Sequence, residues 1–107
     1  MFTRIVEVTA KNGKSKEVCT TIAEKILPIL KNQQGFVDEI TLVSSDDPNR
    51  VVALSFWKTR EDAERYNREQ FTNVTNTIKP LVERDPVVRT YDVDTSTTHR
   101  IARGKAA

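Results

Sequence analysis

One cysteine, one histidine, one tryptophan and three glycines are all that the 107 residues contain of those types. The lone Cys19 cannot form an internal disulfide or build a cysteine metal site. It falls within a helical pattern and reads as a small core or flank residue. The lone His99 offers no second imidazole for a metal site. The glycines are scattered at 13, 35 and 104, so no glycine-rich phosphate loop is present. No apolar run approaches the ~20 residues of a membrane span. The start, MFTRIVEV, lacks a signal-peptide layout. A cytoplasmic protein with no membrane contact is therefore expected. A strong charge of one sign is also missing, since the formal net charge is +2. The segment 95–107 carries Arg100, Arg103 and Lys105 and no acid. Removing these three from the 17 cationic residues leaves 14 against 15 acids in the body. A body so close to neutral has no electrostatic footprint for nucleic acid. Three cations on a tail are ordinarily just solvated.

What is present suits one domain with a modest core. The stretch Gly35 to Tyr66 organises it. Its loop, Ser44 to Arg50, is dense in turn-forming residues. The run after the loop, Val51-Val52-Ala53-Leu54-Ser55-Phe56-Trp57, is apolar or small on both faces. Such a strand has to be covered twice. Helices cover one side, and in a chain this short the other cover is expected to be a second copy.

Read in order, residues 2–9 make a first strand rich in β-branched types, with Arg4 and Glu7 on opposite faces. Lys11 to Lys14 form a turn. Val18, Ile22, Ile26 and Ile29/Leu30 recur at helical spacing, which predicts a helix from about Ser15 to Lys31. Pro28 inside that pattern is expected to kink it or end its regular part early. Gly35 suits a left-handed stop. A second strand covers 36–44, with Phe36, Ile40 and Leu42 expected on one face and Val37, Thr41 and Val43 on the other. The third strand is 51–58. Thr59 followed by Glu61 and Asp62 marks a helix start. That helix is expected to run from 60 to about 69, break near Gln70, and resume to about Val82. Residues 87–93 read as a fourth strand. Residues 95–107 lack periodicity and are expected to be mobile or to lie on a partner. This β-α-β-β-α-β order predicts an α+β, ferredoxin-like split βαβ fold over 1–94, with a four-stranded antiparallel sheet and a tail at 95–107. Both helices on one face leave the other bare, and a face-to-face homodimer covers it most simply.

Gly35-Phe36, then Asp47-Pro48-Asn49-Arg50, then Phe56-Trp57-Lys58-Thr59-Arg60-Glu61-Asp62-Ala63 together resemble the antibiotic biosynthesis monooxygenase family. The resemblance covers about residues 2–93. It implies a dimeric α/β barrel, oxidation of a small aromatic or quinol substrate with O2, and no cofactor or metal. Electron-rich quinols reduce O2 once deprotonated, given a dry pocket, aromatic walls and groups that stabilise the anion. A non-catalytic dimeric module that binds a small apolar molecule is the alternative on the same fold.

The resemblance implies Trp57 and Tyr66 as catalytic candidates, with Ala53, Ser55, Phe71, Tyr91 and Arg4 as substrate-binding candidates. Trp57 shares a strand face with Ser55, Ala53 and Val51. Three small residues beside one large ring leave room for a flat ligand, or Trp57 simply anchors the core on the helix at 60–69. Tyr66 is either a rim tyrosine or a phenol that binds or protonates substrate. Tyr91 and Arg4 are either pocket groups or, as the plainer reading, surface strand residues or ion-pair partners. Actinorhodin-type members carry an asparagine four residues before the tryptophan and a tyrosine six after it. Here Ala53 and Ala63 occupy those positions. Haem degradation is not expected, because strand one has no asparagine and the helices have no histidine.

Overall fold

The computed structural model describes residues 1–102. Strand β1 is Phe2–Thr9, and helix α1 is Ser15–Thr21. A π-helical turn, Ile22–Ile26, leads directly into α2, Leu27–Lys31. Strands β2 (Phe36–Val43) and β3 (Arg50–Trp57) follow, then helices α3 (Arg60–Glu69) and α4 (Phe71–Ile78). A 3-10 turn at Lys79–Leu81 precedes β4, Val87–Asp92. The sheet order is β2-β3-β1-β4, and every neighbouring pair is antiparallel. This is the ferredoxin-like α+β fold that the element order predicts.

The kink expected from Pro28 takes the form of the π-turn. Proline cannot donate the bond an α-helix needs at its position. The wider turn absorbs that loss, and Pro28 then sits in the first turn of α2. The helical run therefore continues to Lys31. The break near Gln70 separates α3 from α4. Thr59 caps α3, its Oγ1 accepting the Asp62 amide at 3.1 Å.

Gly35 adopts φ +81°, and a Cβ there would overlap the Asp62 side chain. Glycine is required for the conformation and for the close approach alike. In the hairpin loop, the Ser44 hydroxyl accepts the amides of Asp46 and Asp47, and the Asp47 carboxylate accepts that of Asn49. These bonds are why serine, aspartate and asparagine cluster there.

The core lies between the helices and one sheet face. Val18, Ile22, Ile26, Leu30, Ala63, Tyr66, Val74 and Ile78 pack against Phe2, Val8, Val51 and Trp57. The expected face assignment of β2 needs one correction. A bulge between Phe36 and Asp38 sets two steps of β2 against one of β3, pairing Phe36 with Trp57 and Asp38 with Phe56. Phe36 therefore turns inward to meet Trp57, with ring centroids 5.7 Å apart. Ile40 and Leu42 stay on the outer face, beside Leu54 and Val52. The extra residue inverts the alternation on one side of the bulge.

The outer face carries Ile5, Val52, Leu54, Ile40, Leu42, Val87 and Tyr91. Leu42 is 49% exposed and Tyr91 50%. After β4, Ser96 and Ile101 pair through both backbone bonds, and His99 packs on the Phe56 ring with centroids 5.3 Å apart. Of the basic tail, Arg103 and Lys105 lie outside the described residues. Among the described residues no helix is long and apolar enough to cross a membrane.

Candidate functional site

Strand alternation sends Arg4, Ser55 and Glu39 to the helix side, and the register lines them up. Arg4 pairs with Ser55 across β1–β3, and Ser55 with Glu39 across β3–β2. With neighbouring strands roughly 5 Å apart, the backbone positions of Arg4 and Glu39, at the two ends of this row, lie about 10 Å apart across the sheet. Over it lie Tyr66 from α3 and Phe71 from α4. Together with Ala53 and the aliphatic core these residues line one cavity of about 50 Å³. A cavity of ~150 Å³ holds benzene, so a flat ligand enters only if the walls give way. The room expected beside Trp57 is thus largely filled, because Tyr66 occupies it.

The aromatic rings form a chain. Trp57 stacks on Tyr66 at 5.1 Å, and Tyr66 meets Phe71 at 6.2 Å. Trp57 is fully buried, and its indole N–H donates to Ser55 Oγ at 2.9 Å. It stands behind Tyr66 and does not line the cavity.

Arg4 is 4% exposed. Its guanidinium lies over the Phe71 ring at 4.6 Å and nearer the edge of cation–π range from Tyr66, at 5.5 Å. Nη1 donates to Asn67 Oδ1 at 3.0 Å. Nε and Nη2 are buried without a partner. No carboxylate among the described residues forms an ion pair with it, although buried charges are ordinarily paired. Burial pulls the Arg4 pKa down, and the neighbouring Tyr66 phenol opposes this. The group stays a cation at ordinary pH.

Tyr66 is pushed up to about 12, chiefly by burial, with the Arg4 charge pulling the other way. It is therefore a neutral phenol at working pH, able to donate its proton. Glu39 is also raised, first by burial, and further by the charge of Asp38. The Thr41 hydroxyl donates to Glu39 Oε2 at 2.6 Å and partly offsets the rise. A carboxylate raised in this way is a stronger base than a solvated one. Cys19 is raised by burial and by the nearby Glu39 charge, which disfavours its thiolate.

Among the residues expected from the sequence, Arg4, Ala53, Ser55, Tyr66 and Phe71 meet at this cavity, and Trp57 supports it from behind. Tyr91 does not join them. It pairs with Thr3 on the outer face of the sheet. Two polar residues of the site escaped the sequence reasoning. Glu39 has the strand parity of Thr41 and Val43, and an acid at such a position was a usable signal. Asn67 falls at helical spacing with Ala63, Tyr66 and Gln70, and that shared face was its only signal. No group of three or more His, Cys, Asp or Glu among the described residues could hold a metal ion.

Residues 1–73 match the family described as Antibiotic biosynthesis monooxygenase. Among solved structures, SnoaB, a cofactor-independent oxygenase from Streptomyces nogalater, is similar with a TM-score of 0.76 at 18% identity. That alignment covers 90% of this chain and 95% of SnoaB. The ActVA-Orf6 monooxygenase of Streptomyces coelicolor, solved with Nanaomycin D, gives a TM-score of 0.77 at 11% identity, covering 89% of this chain and 88% of that one. At these identities the likeness shows the fold alone. No match was found among curated proteins. With two thirds of its length matched and its fold shared, the chain belongs to the antibiotic biosynthesis monooxygenase family.

Proposed function

We propose that the chain is a cofactor-independent monooxygenase that oxidises a small aromatic or quinol substrate with O2. The observation that carries this is Arg4, a buried cation with two unpaired nitrogens beside an apolar, aromatic-walled cavity. Such a group stabilises an oxyanion that forms during reaction, and more strongly than it would in water. Glu39 takes a proton from the substrate at one end of the row, and the Arg4 charge at the other end favours the resulting anion. The anion passes one electron to O2, and the substrate radical and superoxide combine at carbon. The Tyr66 O–H supplies the proton that the peroxide oxygen needs. Loss of water then leaves a carbonyl. One oxygen atom enters product and the other leaves as water; the substrate O–H and the C–H of the attacked ring carbon are both lost, which supplies the four electrons, and the proton held by Glu39 is returned to Tyr66. Trp57 acts as a positioning residue that holds the Tyr66 ring.

A second copy of the chain belongs on the outer sheet face in this proposal. The exposed Ile40, Leu42 and Val87 support it, because apolar patches of this kind mark contact surfaces. Oxygen uptake by the purified protein, against a panel of reduced quinols and phenols with protein-free blanks, tests the chemistry. Saturable uptake that falls in Tyr66→Phe and Glu39→Gln, with folding intact, is the expected result. Saturable binding of the same compounds without any uptake favours the non-catalytic module.

A further inference from the structure

The unpaired edge of Arg4 has a particular shape. Nε–H and one N–H of Nη2 lie side by side on a guanidinium and point the same way, and these are the two nitrogens without a partner. The Nη1 side is occupied by Asn67, and one face is occupied by the Phe71 ring. The fork is therefore held in place, and its Nε/Nη2 edge is unpaired while closed over by neighbouring atoms. One phenolate oxygen satisfies one tooth. A carboxylate satisfies both, through two parallel charge-assisted bonds, and its charge is the counter-ion that Arg4 lacks. Arg4 lines the cavity of about 50 Å³, and because Nε and Nη2 have no accessible surface a carboxylate reaches them only as the walls move.

We infer that the Nε/Nη2 edge of Arg4 is a carboxylate subsite, so that the small aromatic or quinol substrate proposed above is preferred when it carries a carboxylate. This rests on the cavity being the site proposed above, and it names the ligand for it. A ring attached to the carboxylate extends along the row toward Ser55 and Glu39. The end of the ring remote from the carboxylate is then the one presented to the Glu39 base. The negative carboxyl lies away from that base, next to the Arg4 cation, which is also the arrangement with least repulsion.

Calorimetric titration of the full chain with benzoate, benzamide and hydroquinone, at fixed ionic strength, tests the subsite without any turnover. Benzoate is expected to bind saturably and roughly tenfold or more tighter than either neutral compound. It should also shift the Arg4 Nε–H proton resonance downfield. Arg4→Lys, which keeps the charge but loses the fork, is expected to weaken benzoate by roughly tenfold or more. Arg4→Met should abolish binding. If Arg4→Met does not fold, the lysine variant and the Nε resonance still decide. Benzamide or hydroquinone binding as tightly as benzoate, or an Arg4→Lys variant that keeps full benzoate affinity, overturns the inference. Oxygen uptake is a separate readout. Benzoate binding at Arg4 with no turnover of any hydroxylated aromatic acid leaves the subsite standing and counts against the oxygenase.

Discussion

Trp57 and Tyr66 stack with ring centroids 5.1 Å apart and planes 29° from parallel. The indole N–H is satisfied by Ser55 and the indole itself has no exposed surface. Tyr66 in turn carries Phe71 and the Arg4 guanidinium on its other side. The core and the candidate site are therefore one continuous stack, and a change at either ring reaches Arg4.

Trp57→Ala should destabilise the protein by roughly 3–5 kcal/mol, the range for deleting a buried large aromatic. Urea unfolding with an unchanged m-value is the measurement. A loss below about 1 kcal/mol would mean that the ring is not the core anchor.

Tyr66 should ionise at about 12. A phenolate absorbance titration should contain a component with that midpoint, and Tyr66→Phe should lack it. The sign for stability follows from the raised value. The contribution is fully present below the unfolded tyrosine value of about 10 and is lost as pH rises through about 12. The change across that window is about 2–3 kcal/mol, and Tyr66→Phe should flatten it.

Glu39→Gln removes a carboxyl that burial holds above its ordinary value. A raised carboxyl favours the fold at low pH and loses that contribution as pH rises through its folded value. Above that value the glutamine variant should be the more stable protein. If Glu39 is also the base, kcat falls in the same variant and the acidic limb of its pH profile disappears. Unchanged kcat with a gain in stability would leave Glu39 a purely structural group.

Gly35 and Gly13 form a controlled pair. Both have positive φ, +81° and +76°, but a Cβ at Gly13 meets nothing. Gly13→Ala should cost about 1 kcal/mol from backbone strain alone. Gly35→Ala should cost clearly more, because the methyl also displaces the Asp62 side chain at the start of α3. Equal shifts in melting temperature would refute the close-approach argument.

The outer face predicts assembly. Light scattering should report a dimer, and Leu42→Arg should shift it toward monomer by placing an unpaired charge in the contact. A clean monomer of the unaltered chain at micromolar concentration would remove the reason for an apolar outer face.

The sequence by itself determined the succession of elements. Period-two and period-3.6 patterns are local, and so are the signals that end them. Thr59 caps α3, Gln70 separates α3 from α4, and Pro28 marks where the first helical run departs from α-geometry. The apolar character of both faces of β3 was equally legible, because alternation along a single strand suffices to read it. Tertiary structure alone decided the rest. The bulge before Asp38 adds one residue to the pairing and moves Phe36 to the side of Trp57, which no period-two pattern encodes. The register of β4 against β1 puts Tyr91 on the outer face, far from the cavity that its chemistry suggested. Arg4 and Glu39 stand 35 positions apart in the chain and reach one cavity only through the shared row with Ser55. That Arg4 is buried with an unpaired edge is a property of what surrounds it, since burial and partnership are set by distant segments packing together.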